Sequence, residues 1–432
     1  MKEAEARGIR IRTILFDGKS FLQEGPRGCN MCAGVISRNL LRGIEDLGLT
    51  IPEDRVQRWI KGYVFHTKEG SHRVVAPPGE GSIPVVFRGN GPRYSLQTRR
   101  ISFDDFLLQE TEKRGAEIVP SHVKELTFSS GQDSRPRLHG REGELEADLV
   151  VVASGVASPF VRHLHSLGAG YRPPRTVRAY QAELDLGDIA LADHLGNSIH
   201  VFALGKRDIR FAAIIPKARF ATVSLVGNRD MESADFLAFL QTPAVRDLLP
   251  NGWQIPEQHC SCHPPLPVTG ASRFYGNRLL FVGDASVSRY YKNGIESAFQ
   301  TSRHAVHSVF DCGLSEESFR RSYYIPVSRE FRKENLYARL LFRLNDFIAS
   351  KRFWVKAHMY YVRNSPEGET AKTLNFLTWN LFTGNANYAD ILKASIRPRF
   401  FLSMIFRGLL PRGLAAQRIS LPRTLRRRHK QG

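Results

Sequence analysis

The chain has 432 residues, 42% apolar and 24% charged, an ordinary globular composition with material for two or three domains and a large core. Its net charge is +20, yet residues 391–432 hold eleven Lys or Arg and no Asp or Glu, so over half of the excess is an appendage; that distribution argues against a basic groove through the fold, and no nucleic-acid partner is expected. An odd count of five cysteines, an N-terminus (MKEAEARGIRIR) without an apolar core, and the absence of any membrane-length apolar run speak against a disulfide framework, a secretory signal and a transmembrane span.

In chain order, residues 2–8 read as the last turns of a helix stopped at Gly8. An apolar strand over 11–16 closes on Asp17, and a helix follows at 40–47. Residues 60–100 are strand-rich, with Gly79-Glu80-Gly81 and Gly89-Asn90-Gly91 as hairpin turns. Phe103, Phe106 and Leu107 mark a helix over 103–114. Strands are expected at 116–119, 124–128 and 149–153, and the alternation over 176–228 predicts an antiparallel sheet. The apolar run 279–282 breaks at Gly283-Asp284-Ala285, and Gly294 then opens an amphipathic helix with Ile295, Ala298 and Phe299 on one side. Residues 319–406 are mostly helical in pattern.

The strand, turn and helix over 277–299 carry the most chemistry. Glycine lets a backbone approach a ligand closely. A helix N-terminus offers free N–H groups and positive potential to a phosphate or a reduced flavin. Asp284, just past the strand, is positioned to accept hydrogen bonds from sugar or ribityl hydroxyls; the plain alternative is an ordinary Gly-Asp turn. Asp17 closes its strand where a dinucleotide fold puts an acid for the adenosine ribose, about 20 residues after a G-x-G-x-x-G turn. Only sixteen residues precede it and none forms that turn. The expectation is that the sequence starts at an internal Met, the alternative being a degenerate protein that no longer binds FAD.

With four further segments in matching order, the 277–299 stretch resembles FAD-dependent oxidoreductases of the geranylgeranyl reductase and aromatic-ring hydroxylase kind. The resemblance implies that Gly283 and Asp284 hold the ribityl-phosphate region, and that the helix opened by Gly294 and Ile295 points at the isoalloxazine. Cys32 and Gly34 match a Cys-Gly-Gly segment beside the flavin, and Cys32 is the flavin neighbour; no catalytic residue is identified. Arg100, with Phe103 and Asp104, matches an Arg-x-x-Phe-Asp motif whose Arg contacts FAD. Val123 matches the position whose backbone meets the adenine. Gly155 and Ser158 match an Asp-Gly-x-x-Ser turn in which Ser154 replaces the Asp. Phe211, Ala213, Ile215 and Pro216 stand where geranylgeranyl reductases have a Tyr-x-Trp-x-Phe-Pro segment lining a prenyl cavity, with Ala213 in place of Trp; the alternative is a strand facing a core.

The fold class so implied is α/β: a dinucleotide-type (Rossmann-like) FAD domain (1–172 and 271–318, incomplete at its N-terminus), an inserted antiparallel β substrate domain (173–270), a helical C-terminal region (319–400) and a basic tail (401–432). The implied activity is reduction of double bonds in an isoprenoid or other lipid-like substrate, with NAD(P)H or a carrier protein as electron donor. The alternatives are an FAD-dependent monooxygenase and a degenerate, non-enzymatic membrane-surface protein. Cys29-x-x-Cys32 and Cys260-x-Cys262 invite zinc or a redox pair, but the spacing favours packing thiols, and no metal is expected. The tail interleaves Phe, Leu, Ile and Met with Arg, which suits an anionic membrane surface or, alternatively, a solvated extension. The expected location is cytoplasmic, with peripheral attachment to the inner face of the membrane through that tail.

Overall fold

Period-two alternation over 176–228 builds the largest sheet. The computed structural model describes residues 2–409 apart from 31, 78, 96–98, 130–133, 142, 167–169, 207 and 292, so most of the basic tail lies outside the described residues. The sheet has seven strands in the spatial order Cys260–Cys262, Tyr180–Asp185, Phe220–Gly227, Ile209–Pro216, Ser198–Phe202, Gly62–Thr67 and Gly70–Val75. Neighbours run antiparallel except Ser198–Phe202 and Gly62–Thr67, which pair in parallel. One face carries Tyr180, Ala182, Leu184, Ala212, Ile214, Val223 and Leu225 and is covered by Leu191, Phe236 and Phe239 of the helices Asp188–His194 and Ser233–Leu240. Part of the other face, with Tyr63, Phe65, Val201, Ala213 and Ile215, packs on Trp379 of the helix Glu369–Thr383.

The two glycine-rich strings are not hairpin turns. Gly70–Val75 pairs with Gly62–Thr67, whereas Ile83–Val86 pairs with Val56–Ile60 in a separate sheet, so the loop holding Gly79-Glu80-Gly81 crosses between sheets. Glu80 anchors that crossing by accepting hydrogen bonds from Trp379 Nε1 and Asn385 Nδ2, both 2.6 Å. Gly89 is packed loop on loop, since a β-carbon there would come within 2.5 Å of Gly28 O.

Outside the large sheet the parallel strands form two pieces. Ile14–Phe16 pairs with Glu117–Val119. Val150–Val152 pairs with Leu279–Phe281, which takes Tyr275–Gly276 antiparallel at its far edge. Among the described residues no ladder joins the two pieces. Helices Arg38–Asp46 and Gly294–Cys312 pack on each other through Leu40, Leu41, Ile44, Ile295 and Phe299. Their N-termini meet at a buried polar joint: Ser37 caps the first helix by accepting from Leu40 N and donates to Glu296 of the second at 2.6 Å. From Ile325 the chain is helical, ending in Tyr388–Ser395 and Pro398–Leu409. Among the described residues no helix is long and apolar enough to cross a membrane.

Candidate functional site

The buried strand Leu279–Phe281 leads into the turn Gly283–Ala285, and Gly283 takes a left-handed φ of +62°. Its N–H donates to Thr301 Oγ1 at 2.8 Å, tying the turn to the helix behind it. A β-carbon on Gly294, the first residue of that helix, would stand 3.5 Å from both carboxylate oxygens of Asp284. The carboxylate therefore lies in front of the helix N-terminus, where negative charge is favoured. Among the described residues, Asp284 Oδ1 is buried without a hydrogen-bond partner. Burial pushes the carboxyl up, and Ser288 and Arg88 pull it down. A buried acceptor left without a donor is costly, so this oxygen is an opening for a ligand hydroxyl.

A second wall comes from the segment after Asp17. Asp17 N donates to Val119 O at 3.1 Å, its Oδ1 accepts from Lys19 N at 2.9 Å, and burial raises its carboxyl. Lys19 Nζ donates to Cys29 O and to Asn30 Oδ1; Asn30 Nδ2 donates to Asp104 Oδ2 at 2.6 Å; and Asp104 receives Arg88 through Nε at 2.9 Å and through a second guanidinium nitrogen at 2.8 Å. This bidentate, largely buried pair is the strong form of the contact. Arg100 is 56% exposed at the side chain and sits 3.6 Å from Asp105. The Arg-x-x-Phe-Asp motif points to Arg100, whereas the buried carboxylate pair is made by Arg88. The available signal was an Arg directly after the apolar run 83–87.

Burial raises the Cys32 thiol, while Arg88, the Gly34 N–H and Lys217 pull it down. Gly34 has φ +80°, and a β-carbon there would fall 1.8 Å from Val86 O, so close backbone packing alone demands glycine. Lys217, which follows Pro216, is fully buried. Its Nζ lies 3.4 Å from Glu183 Oε1 and 4.1 Å from the Phe87 ring centre, and Thr222 Oγ1 donates to Glu183 Oε2 at 2.7 Å. Burial pushes the Cys262 thiol up to about 12, with Cys29, Cys260 and Glu183 adding to the rise. All five cysteines are free thiols, and among the described residues no group of three or more His, Cys, Asp or Glu could hold a metal ion.

The remaining sequence candidates are dispersed. Ile295 packs in the apolar joint with the helix Arg38–Asp46. Val123 begins a strand and pairs with Gly140. Gly155 has φ +70° with open space on its β-carbon side. It adjoins Val156 and Ala157, which with Arg162, Arg178, Met231 and His263 line an open groove of ≈ 560 Å³. Phe211 packs against Phe342, ring centres 6.1 Å apart. Ala213 and Ile215 are buried under Trp379, and Pro216 is buried at the strand end.

Paired parallel strands, a Gly-Asp turn feeding a helix N-terminus, a large mixed sheet and a helical C-terminal region make this a Rossmann-like α/β fold of the flavoprotein type. Among solved structures the chain is similar to a geranylgeranyl bacteriochlorophyll reductase-like protein from Thermoplasma acidophilum (14% identity, TM-score 0.59, covering 92% of this chain and 90% of that one). It is also similar to a flavoprotein/dehydrogenase from Cytophaga hutchinsonii (15%, TM-score 0.56, 88% of each chain). A third is a probable FAD-dependent monooxygenase from Pseudomonas aeruginosa (13%, TM-score 0.55, 79% of this chain and 91% of that one). No family model and no curated protein sequence matches the chain. At these identities the likeness speaks for the fold.

Proposed function

We propose that the protein is an FAD-dependent oxidoreductase that reduces double bonds of an isoprenoid or other lipid-like substrate. The observation that carries the cofactor is Asp284 Oδ1, a buried acceptor without a donor at the N-terminus of the helix opened by Gly294. A ribityl hydroxyl supplies the missing donor, and the hydrogen side chain of Gly294 leaves it room. The free N–H groups of that helix suit the negative charge a flavin gains on reduction. Asp17 would take the adenosine ribose, and the Arg88–Asp104 pair would stiffen the loop beside the ring. FAD, when bound, supplies hydride transfer with NAD(P)H or a carrier protein as the electron source; the chain positions it and excludes water. The lipid-like substrate is supported by the fold likeness to a geranylgeranyl bacteriochlorophyll reductase-like protein.

The fold likeness to an FAD-dependent monooxygenase supports a second reading, hydroxylation. Product analysis with and without oxygen separates the two, because reduction of a double bond consumes none. For the cofactor itself, FAD titration followed by flavin fluorescence is the test. Asp284→Ala is expected to lose roughly 1–3 kcal/mol of FAD affinity. Unchanged affinity in Asp284→Ala would make Asp284 a turn residue only, and a folded wild-type protein that takes up no FAD would favour the non-enzymatic membrane-surface reading.

A further inference from the structure

We infer that the helix Pro398–Leu409 docks the protein on an anionic lipid surface through its outward stripe. The helix has two unlike sides. Met404 is buried against Ala357 and Leu374, and Phe400 packs there with Trp354 and Tyr361. On the far side Phe401 is 43%, Leu402 63% and Phe406 69% exposed, and Ile396, just before the helix, is 57% exposed. Positions 401, 402 and 406 share one arc of a 3.6-residue repeat, so these side chains form one patch. A cluster of large apolar side chains facing water marks a surface that something covers.

Charge selects the occupant. Arg397 and Arg399 flank the stripe, Lys393 pairs with Asp390, Arg407 lies over the Tyr360 ring, and no acidic residue occurs from 391 to 432. An apolar stripe edged by cations fits the headgroup and acyl boundary of an anionic bilayer, where Phe and Leu enter the apolar layer and Arg and Lys meet lipid phosphates. Trp354, its ring 5.6 Å from that of Phe401, adds an aromatic side chain suited to the headgroup level. A nucleic acid would use the cations and leave the stripe in water.

The test is co-sedimentation of the full chain with phosphatidylserine–phosphatidylcholine vesicles and with phosphatidylcholine vesicles, at low and high salt. Wild type is expected to sediment with the anionic vesicles only, and less at high salt. Leu402→Ser combined with Phe406→Ser is expected to reduce that partitioning roughly thirty- to a hundredfold. Because both side chains face water in the free protein, thermal unfolding should not move, which separates lost docking from lost folding. Deleting residues 412–432 should weaken binding without abolishing it. Binding of the double variant equal to wild type overturns the inference. So does a wild type that ignores anionic vesicles but self-associates through the stripe in sedimentation velocity, which would identify a second copy as the occupant.

Discussion

Replacing Lys217 by methionine removes an ammonium while keeping most of the side-chain volume. In the native protein Lys217 is 1% and Glu183 11% exposed at the side chain, 3.4 Å apart. The substitution leaves the Glu183 carboxylate desolvated, with the Thr222 hydroxyl as its remaining hydrogen-bond partner among the described residues. Breaking one side of a buried pair costs about 3–5 kcal/mol, and loss of the cation over the Phe87 ring adds to it. At about 2.1 cal/mol/K per residue, unfolding entropy for 432 residues is near 0.9 kcal/mol/K, so the melting temperature should fall by roughly 3–6 °C. Adding Glu183→Gln should recover most of the loss, since the amide oxygen still accepts from Thr222 and no charge is stranded. Differential scanning calorimetry on the two single variants and the double variant measures the coupling. A Lys217→Met melting temperature within about 1 °C of wild type would refute the reasoning, because the carboxylate would then have reached solvent or another donor.

Gly34→Ala places a β-carbon against Val86 O at a left-handed φ, and should cost at least about 2 kcal/mol in urea unfolding; an unchanged midpoint would mean that the 32–34 segment moves freely. His66 and His200 belong to one hydrogen-bonded chain, running from Ser71 Oγ to His66 Nδ1, from His66 Nε2 to His200 Nδ1 and from His200 Nε2 to the Leu195 carbonyl, and burial favours both rings in the neutral form. Burial, aided for His66 by neighbouring histidines, lowers His66 to about 3 and His200 to about 4, below the usual 6.5. A depressed histidine stabilises the fold above pH 6.5 and loses that contribution as pH falls toward 4, so the melting temperature should drop through that window and drop less in His200→Asn; equal slopes for the two proteins would count against it. Trp379→Phe removes the indole donor to Glu80 and should cost about 1.5–3 kcal/mol by calorimetry, the amount expected for a hydrogen bond to a charged group; a loss below about 0.5 kcal/mol would show that Asn385 alone anchors the crossing.

Local signals carried the parts of the fold that local forces decide. The helix at Phe103–Lys113 follows from its Ser102 cap and apolar spacing, and the run before Gly283 does form a buried strand, because four consecutive apolar residues favour the interior. The parallel pairing of Ser198–Phe202 with Gly62–Thr67 spans well over a hundred residues, and no periodicity encodes a partner. The same limit hid the site chemistry. Arg88, in the bend after the strand Ile83–Val86, meets Asp104 in the first turn of the helix Phe103–Lys113, and Lys217, just past the strand Ile209–Pro216, reaches Glu183 over the intervening strand Phe220–Gly227. Each looks like an ordinary surface charge until the fold buries it. Asp284 was legible because its neighbours in sequence are also its neighbours in space.

The division of the parallel strands into two pieces bears on how the molecule opens. A two-stranded ladder shields few amides, whereas the seven-stranded sheet is clamped on one face by helices and on part of the other by Trp379. Native-state hydrogen exchange should therefore report at least two cooperative units, with the amides of Ile14–Phe16 and Glu117–Val119 exchanging well before those of Phe220–Gly227. A long ligand touching both Asp17 and Asp284 would bridge the two pieces like a splint. Its arrival would show first as slowed exchange at the small ladder, far from any atom that reacts.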